Sequence, residues 1–171
     1  MRILTVAISL ASLTFPGSAF EVLHDRSTLG FEVGMGDRQL AGEFSDWRAE
    51  VDLEEGDIRV TVGLASATLG DPLLDAVMHA PAWLASGDHG QAVFASHDVE
   101  AKAPGRHRAD GTLSFKGATI PMTVLIDAAT PPPGTRYAVT ATLDRIEAGA
   151  GPDGSPVDRT VTIIGQIEVR R

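Results

Sequence analysis

The side chains that could bind a metal ion are scattered along the sequence. The chain has no cysteine, and its histidines are far apart. They are His24, His79, His89, His97 and His107. Two imidazoles can ligate one metal from a regular element when they share a face, as they do at i, i+4 on a helix. Neither i, i+2 nor i, i+4 spacing occurs here, so the sequence predicts no metal site.

The nucleophiles and bases are also poorly placed for catalysis. Hydrolases of the α/β class hold their serine in a Gly-x-Ser-x-Gly turn, which this sequence lacks. His24–Asp25 and His97–Asp98 are adjacent pairs, and adjacent residues of a strand point to opposite faces. We therefore predict no catalytic residues and a protein that is not an enzyme.

One cation, Arg145, stands at the end of an apolar alternating pattern. A guanidinium at the end of a strand can form an ion pair or cap backbone carbonyl groups, and we expect one of these structural roles. Contact with the polar head group of a ligand is the alternative.

Apolar surface on strands is the most abundant feature of the sequence. Leu113 and Phe115, then Met122 and Val124, alternate with polar residues on either side of a break that contains glycine. This pattern predicts a β-hairpin over residues 109–128, with one face of each strand against a core.

Two residues of this hairpin lead to further expectations. Pro121 has no N–H to give to a ladder, so we place it at the first position of the second strand. Leu125 interrupts the polar face, which indicates that the second strand is covered on both sides.

The same period-two alternation predicts other strands before and after the hairpin. They fall near residues 28–33, 40–44, 49–53, 58–64, 92–99, 137–143 and 161–169. The pattern changes at Asp71–Pro72, which combines a favourable N-cap with proline at the first helical position. Apolar residues at helical spacing from Leu73 to Met78 then predict a short helix.

These elements predict an all-β fold: a single antiparallel β-barrel of about eight strands, with a short helical excursion near residues 71–85. A barrel of this size is filled by side chains or holds one small ligand. A β-sandwich is the main alternative. The polar stretch 149–156 is the segment that we expect to be most flexible.

Length and charge narrow the classes of function. Residues 1–19 combine Arg2, an apolar run and small residues, a pattern typical of a cleaved signal peptide, which leaves 20–171 as one domain. The mature domain has no comparable apolar run, so we predict no membrane span in it. The formal net charge of −9 argues against a nucleic-acid partner. The sequence leaves a homodimer open.

The hairpin also resembles a known family. Residues 111–122, GTLSFKGATIPM, resemble the G-x-L-x-x-x-G-V-T-K-P-V signature of the YceI-like, lipid- or polyisoprenoid-binding family. Further segments match that family in the same order, at 25–31, 42–47, 65–71 with 82–84, 92–96, 143–146 and 161–163. The chain departs from the family pattern at Arg26, where histidine is frequent, and at Ile146–Glu147, where an aromatic residue is absent.

The resemblance implies a lipocalin-like barrel in the bacterial periplasm, with an apolar tunnel that holds an isoprenoid chain. A quinone or polyprenyl tail is the expected ligand, and no other cofactor is implied. We therefore predict that the apolar strand faces and the helical excursion supply the binding residues. They are Phe31, Phe44, Val60, Val62, Leu74, Met78, Trp83, Phe94, Leu113, Phe115, Met122 and Val124.

Other interpretations of these residues stay open at this point. The strand residues could simply fill a core, and the helical segment could be a static plug rather than a gate. A carrier of an apolar lipid is the expected function. The alternative is a periplasmic accessory protein with a filled barrel, or a lipid-modifying protein with a catalytic one.

Overall fold

The computed structural model describes residues 20–52, 55–128 and 135–170. The predicted signal peptide lies outside the described residues. Within them, eleven strands form one antiparallel sheet. The strands are β1 (Glu21–Val22), β2 (Thr28–Met35), β3 (Arg38–Phe44), β4 (Trp47–Asp52), β5 (Asp57–Gly63), β6 (Ala67–Thr68), β7 (Gln91–Ala103), β8 (Arg106–Phe115), β9 (Ala118–Ala128), β10 (Thr135–Asp144) and β11 (Val157–Arg170). One helix, α1 (Pro72–His79), lies between β6 and β7.

The sheet runs in the order β4-β5-β7-β8-β9-β10-β11-β2-β3-β6, and β1 pairs with β11 outside this path. Phe20, just before β1, forms a bridge with Val51 of β4. Residues 20–22 therefore contact both β11 and β4, which lie far apart in the strand order. These contacts are possible only when the sheet is curled. The prediction of an all-β, barrel-type antiparallel fold is confirmed.

The strand count is higher than the predicted eight or so. The two strands that sequence periodicity missed, β1 and β6, are two residues long each. An alternating pattern cannot be recognised over two residues. Their pairing depends on neighbouring strands rather than on local sequence.

The hairpin of β8 and β9 forms as predicted, but its turn is shorter. Lys116 and Gly117 alone make the turn, with φ of 48° and 80°. Positive φ at both central residues is the geometry that suits a two-residue hairpin, and glycine adopts it readily.

The predicted position of Pro121 was wrong, because it is the fourth residue of β9 and stands opposite Thr112. A two-residue turn closes on a hydrogen-bonded pair, and such pairs alternate along the ladder. The nitrogen of Pro121 therefore points away from β8. On that side β10 pairs with β9 only from Val124 onward, so no ladder bond is lost.

The prediction for Leu125 was also wrong. Its side chain is 50% exposed, so the outer face of β9 is open to solvent. Leu125 stands opposite Arg108 on one side and Thr140 on the other. One apolar residue on a polar strand face is therefore an isolated surface leucine here, which is common in soluble proteins.

The core lies on the concave face of the curled sheet. One cluster of buried residues includes Phe94, Met122 and Ile126, together with the fully buried Ala109. A second contains Phe115 and Ile120. Because inward-facing residues alternate along each strand, the concave face is mostly apolar and the convex face carries most of the charges.

The helix begins where the sequence predicted. The carboxylate of Asp71 accepts hydrogen bonds from the backbone N–H groups of Leu73 and Leu74, and Pro72 is the first helical residue. None of the residues of α1 is buried. The helix therefore lies over the sheet without entering the core.

Candidate functional site: an apolar cavity

A cavity of about 320 Å³ lies between the concave face of the sheet and α1. Its volume is more than ten times the roughly 10–15 Å³ that one water molecule requires. Apart from Thr140 and Arg145, its lining residues are apolar or aromatic. A cavity of this kind favours an apolar guest, since a polar guest would lose its hydrogen bonds to water without replacement.

All twelve residues predicted to bind a ligand line this one cavity. Nine of them come from strands β2, β3, β5, β7, β8 and β9, and Leu74 and Met78 come from α1. Trp83 follows the helix in the turn after it. The structure therefore brings the candidate residues together, and their contact with a ligand stays a prediction.

Sequence reasoning missed other parts of the wall. The main additions are Leu29, Val33, Leu40, Trp47, Ile58, Leu84, Ile126, Tyr137, Val139, Ile163 and Ile167. Most of them share the strand phase of the predicted residues, so the alternation itself could have identified them.

Some apolar side chains of α1 line the cavity and one does not, a difference that helical spacing alone did not reveal. Leu74, Val77 and Met78 line the cavity. Leu73 is 80% exposed and does not line it, although its spacing grouped it with the other three.

Arg145 is a buried cap on backbone carbonyls, as the sequence predicted. Its residue is only 3% exposed. The side chain donates to the carbonyl oxygens of residues 150, 152, 157 and 158, and to Oγ of Ser155, at 2.7–3.2 Å. A guanidinium has five N–H groups, and all five are used by these contacts.

This geometry argues against the alternative role of Arg145. With its five donors engaged, the guanidinium has none left for the polar head group of a ligand. The segment 149–156 is the one that the sequence predicts to be most flexible. In the structure, several of its oxygen atoms accept hydrogen bonds from Arg145, and these contacts hold the segment in place. Arg145 is the one charged side chain among the described residues that line the cavity.

Trp83 is fixed from two sides. The guanidinium carbon of Arg145 lies 5.3 Å from the centre of the Trp83 ring, within the range of a cation–π contact. On another side the ring packs against Gly151, where a Cβ would come within 2.5 Å of it. The backbone N–H of Gly151 donates to the carbonyl of Ala82 at 2.7 Å.

Lys116, in the hairpin turn, holds the same segment through its ammonium group. It donates to the carbonyl oxygens of Pro81, Trp83 and Gly149 at 3.2, 2.7 and 2.6 Å. Three acceptors match the three protons of a charged ammonium. Desolvation by burial lowers the pKa of Lys116 from its usual value of 10.5. The turn of the most characteristic hairpin therefore anchors one part of the cavity wall.

Groups that could carry chemistry do not converge in the cavity. In the part of the chain that the structure describes, no three metal-ligating side chains form a group. The carboxyl with the largest pKa shift, Asp110, is on the convex face in an ion pair with Arg108. Across the described ranges, no helix is long and apolar enough to cross a membrane.

Comparison with known proteins agrees with this architecture. The structure of BcnA from Burkholderia cenocepacia matches at a TM-score of 0.80 with 20% identity, over 86% of this chain and 99% of that one. A YceI protein from Campylobacter jejuni matches at 0.67 with 13% identity, over 76% and 84%. A polyisoprenoid binding domain from Saccharophagus degradans, implicated in plant cell wall breakdown, matches at 0.65 with 12% identity, over 89% and 97%.

At these identities the structural matches show a shared fold. A search of curated proteins found no match. The family model described as the YceI-like domain matches residues 20–169, nearly all of the described part of the chain. The chain therefore belongs to the YceI-like family.

Proposed function

We propose that this protein is a periplasmic carrier that holds the apolar tail of an isoprenoid-type lipid, such as a quinone or a polyprenyl compound. The observation that carries the proposal is the cavity: about 320 Å³ with a nearly continuous apolar wall. The polyisoprenoid binding domain among the structural neighbours supports the same class of ligand.

The physical argument rests on burial of apolar surface. Each CH₂ group transferred from water to an apolar environment gains about 0.8 kcal/mol. A chain of isoprene units carries many such groups and no hydrogen-bonding atom, which suits a wall that is almost entirely apolar. The aromatic rings of the wall supply flat surfaces for packing against it, among them those of Phe31, Phe44, Phe94, Phe115, Trp47 and Trp83.

Binding, rather than turnover, is the activity we propose. The cavity is lined by no carboxylate and no histidine in the described residues, and its one cation is already engaged. A lipid held there would be shielded from water, with its reactive groups away from any acid or base of the wall.

The first experiment tests for bound lipid. The full chain, expressed with its own residues 1–19, is purified in a gentle detergent-free buffer and examined by native mass spectrometry and organic extraction. We expect a co-purifying polyprenyl or quinone species.

The same preparation tests the predicted cleavage of the signal peptide. N-terminal sequencing of the exported protein should give a first residue within a few positions of Phe20, and an intact Met1 would contradict export with cleavage.

The second experiment uses defined probes on delipidated protein. Geranylgeraniol and squalene should raise the melting temperature, because a ligand that binds only the folded state stabilises it by mass action. They should also change the emission of Trp83 in a Trp47→Phe background, since both tryptophans line the cavity. If neither probe stabilises the protein and no lipid co-purifies, the carrier proposal fails. Lipid that co-purifies and is converted to a product would favour the lipid-modifying alternative.

A further inference from the structure

The wall of the cavity is built in two ways. Most of its lining residues belong to strands, which ladders of backbone hydrogen bonds join to their neighbours. A wall of that kind opens only when several ladder bonds break together. The lining residues outside the strands are Leu69, Leu74, Val77, Met78, Trp83, Leu84, Arg145 and Ala150. A passage for a bulky guest is therefore easiest to open in this non-strand part of the wall.

Part of the non-strand wall is fixed in place. The carbonyl oxygen of Trp83 accepts a hydrogen bond from the ammonium group of Lys116 at 2.7 Å, and its ring is packed on two sides. The backbone N–H of Leu84 donates to the carbonyl oxygen of Met78 at 2.9 Å, which joins this fixed segment to the last turn of α1. The C-terminal end of α1 is therefore anchored.

The rest of α1 is held more weakly. None of its residues is buried. Val77 lines the cavity and is nevertheless 53% exposed, so a single layer of side chains separates the cavity from solvent there. In the middle of the helix, the carboxylate of Asp75 accepts hydrogen bonds from Oγ1 of Thr68 at 2.7 Å and from the backbone N–H of Leu69 at 2.6 Å. Segments with few buried apolar contacts open locally at a low free energy.

The two ends of α1 are suited to a hinged movement. At the anchored end, Nε2 of His79 lies 2.9 Å from the carbonyl oxygen of Ala67, and Nδ1 lies 3.0 Å from Oγ of Ser86. At the other end, Gly70 has a φ of 71°, and a Cβ there would meet nothing within 4 Å. Glycine changes conformation at little steric cost. Asp71 caps the N–H groups of its own helix, so this cap moves with α1.

We propose that α1 is a hinged lid over the cavity and that the carboxylate of Asp75 is its latch. Opening breaks the two hydrogen bonds of Asp75, turns Leu74 and Val77 away from the sheet, and leaves the strand ladders intact. Movements of this kind commonly control ligand exchange. The identity of the guest rests on the proposed function, whereas the movement belongs to the protein alone and is measurable without a guest.

The first experiment follows the exchange of geranylgeraniol by stopped-flow emission of Trp83 in the Trp47→Phe background. Asp75→Ala removes the latch, and alanine favours the helix. Since a lid controls entry and exit alike, we expect the association and dissociation rate constants to rise together, each about tenfold, with a dissociation constant that changes less than about twofold. A residue that belongs only to the wall would act mainly on the dissociation rate.

The matched control is Asp88→Ala, which removes the same charge at an exposed position of the loop after α1. Both rate constants of this variant should stay within about twofold of the wild-type values. If Asp75→Ala changes only the dissociation rate, or neither rate, Asp75 is not a latch and the proposal fails.

A covalent lock gives the opposite perturbation. The chain has no cysteine, so Thr68→Cys combined with Asp75→Cys introduces a single pair of thiols. The side chains that they replace are in contact between β6 and α1. In the oxidised form we expect both rate constants to fall far below those of the reduced form, and dithiothreitol should restore them. Equal exchange in the two forms would overturn the lid.

Hydrogen exchange of the ligand-free protein tests the lid independently of any guest. The amides of residues 75–79 should exchange at a lower free energy of opening than those of β8 and β9, and Asp75→Ala should lower the protection of α1 alone. Exchange of α1 only through global unfolding would make the helix a static part of the wall and refute the lid, even in a protein that binds geranylgeraniol. Local opening of α1 in a protein that binds neither geranylgeraniol nor squalene would support the lid and refute the carrier function.

Discussion

Arg145 is the residue whose loss should most affect the fold around the cavity. Arg145→Lys keeps the charge but offers three donors in place of five, and it cannot reach all of the oxygen atoms gathered around the guanidinium. Buried carbonyl groups left without a donor should lower the free energy of unfolding by about 2–4 kcal/mol.

The matched control is Arg159→Lys. The side chain of Arg159 is 57% exposed and pairs with Asp144 at 2.6 Å. Exposed ion pairs contribute about 1 kcal/mol or less, so this variant should unfold nearly as the wild type does. Urea unfolding at neutral pH compares the two, and equal losses would show that the contacts of Arg145 are not structural.

Substitution of Phe115 can distinguish a filled core from the wall of a ligand site. It is 4% exposed and packs with Ile120 and Ala148, yet it also lines the cavity. Phe115→Ala in a filled core costs about 3–5 kcal/mol. Because one side of the ring already borders empty space, we expect a loss near the lower end.

The stabilisation by geranylgeraniol should also shrink in Phe115→Ala, because the tail loses part of its wall. Calorimetry with and without the probe measures both quantities. Leu125→Ala, at an exposed position, should change neither by a measurable amount. An unchanged ligand-induced shift together with a large loss of stability would assign Phe115 to the core alone.

At the scale of elements, the segment that carries Trp83 behaves as a fixed part of the wall, whereas α1 has no buried residue. Two glycines of the 149–156 segment test this. Gly151 and Gly154 have nearly the same φ, 83° and 81°. A Cβ at Gly151 would strike the Trp83 ring, and a Cβ at Gly154 would meet nothing within 4 Å.

Both substitutions to alanine carry the cost of the left-handed conformation, about 1–2 kcal/mol. Gly151→Ala should cost more, and it should shift the emission of Trp83 because the ring must move. Gly154→Ala should leave the emission unchanged. Fluorescence in the Trp47→Phe background and urea unfolding measure the two effects, and identical behaviour would mean that Trp83 does not pack tightly on Gly151.

The elements also show what a sequence can and cannot reveal. Inward-facing residues of a barrel follow the parity of their strand positions, so Phe94 and Met122 could be placed in the cavity before any coordinates. The contacts of Lys116 could not, because they join a hairpin turn to carbonyl groups 33 and 35 positions away. No local pattern encodes that approach.

The helix is the second such case. Its sequence has two apolar stripes, and periodicity cannot tell which of them faces the protein. The outcome is decided by Thr68 and Ala67, which supply partners for Asp75 and His79. Those partners come from β6, a strand too short to be predicted. Leu73 shares the helical spacing of Leu74 and Met78, yet it lies outside the cavity that they line.

For the whole molecule, acid should weaken the fold within a defined range of pH. The hydrogen bond from Arg108, with a second from Thr123, lowers the pKa of Asp110 to about 2. The pKa of Glu168 is lowered chiefly by its hydrogen bond from Arg136. These carboxyls have a lower pKa folded than unfolded, so the folded state binds fewer protons in that range.

This difference in pKa determines how the stability of the protein changes with pH. Their stabilisation is complete above the unfolded pKa, near 4, and is lost as the pH falls toward 2. Urea unfolding at pH 7, 4, 3 and 2 should show this decrease. Asp110→Asn should be less stable at pH 7 and should lose less between pH 4 and 2. A variant that loses as much as the wild type over that interval would contradict the role of Asp110.

The pairing of β1 with β11 has a consequence for the order of folding. Glu21 pairs with Arg170, and Val22 with Val169, so the earliest described strand completes its ladder with the latest one. The ion pair of Arg170 with Glu21 spans 149 positions. Since β11 also pairs with β2 and β10, a nascent chain cannot complete this sheet until β11 has left the ribosome. Contacts so distant make for slow folding. We expect a long-lived unfolded chain after synthesis, a form that would be compatible with the export proposed above.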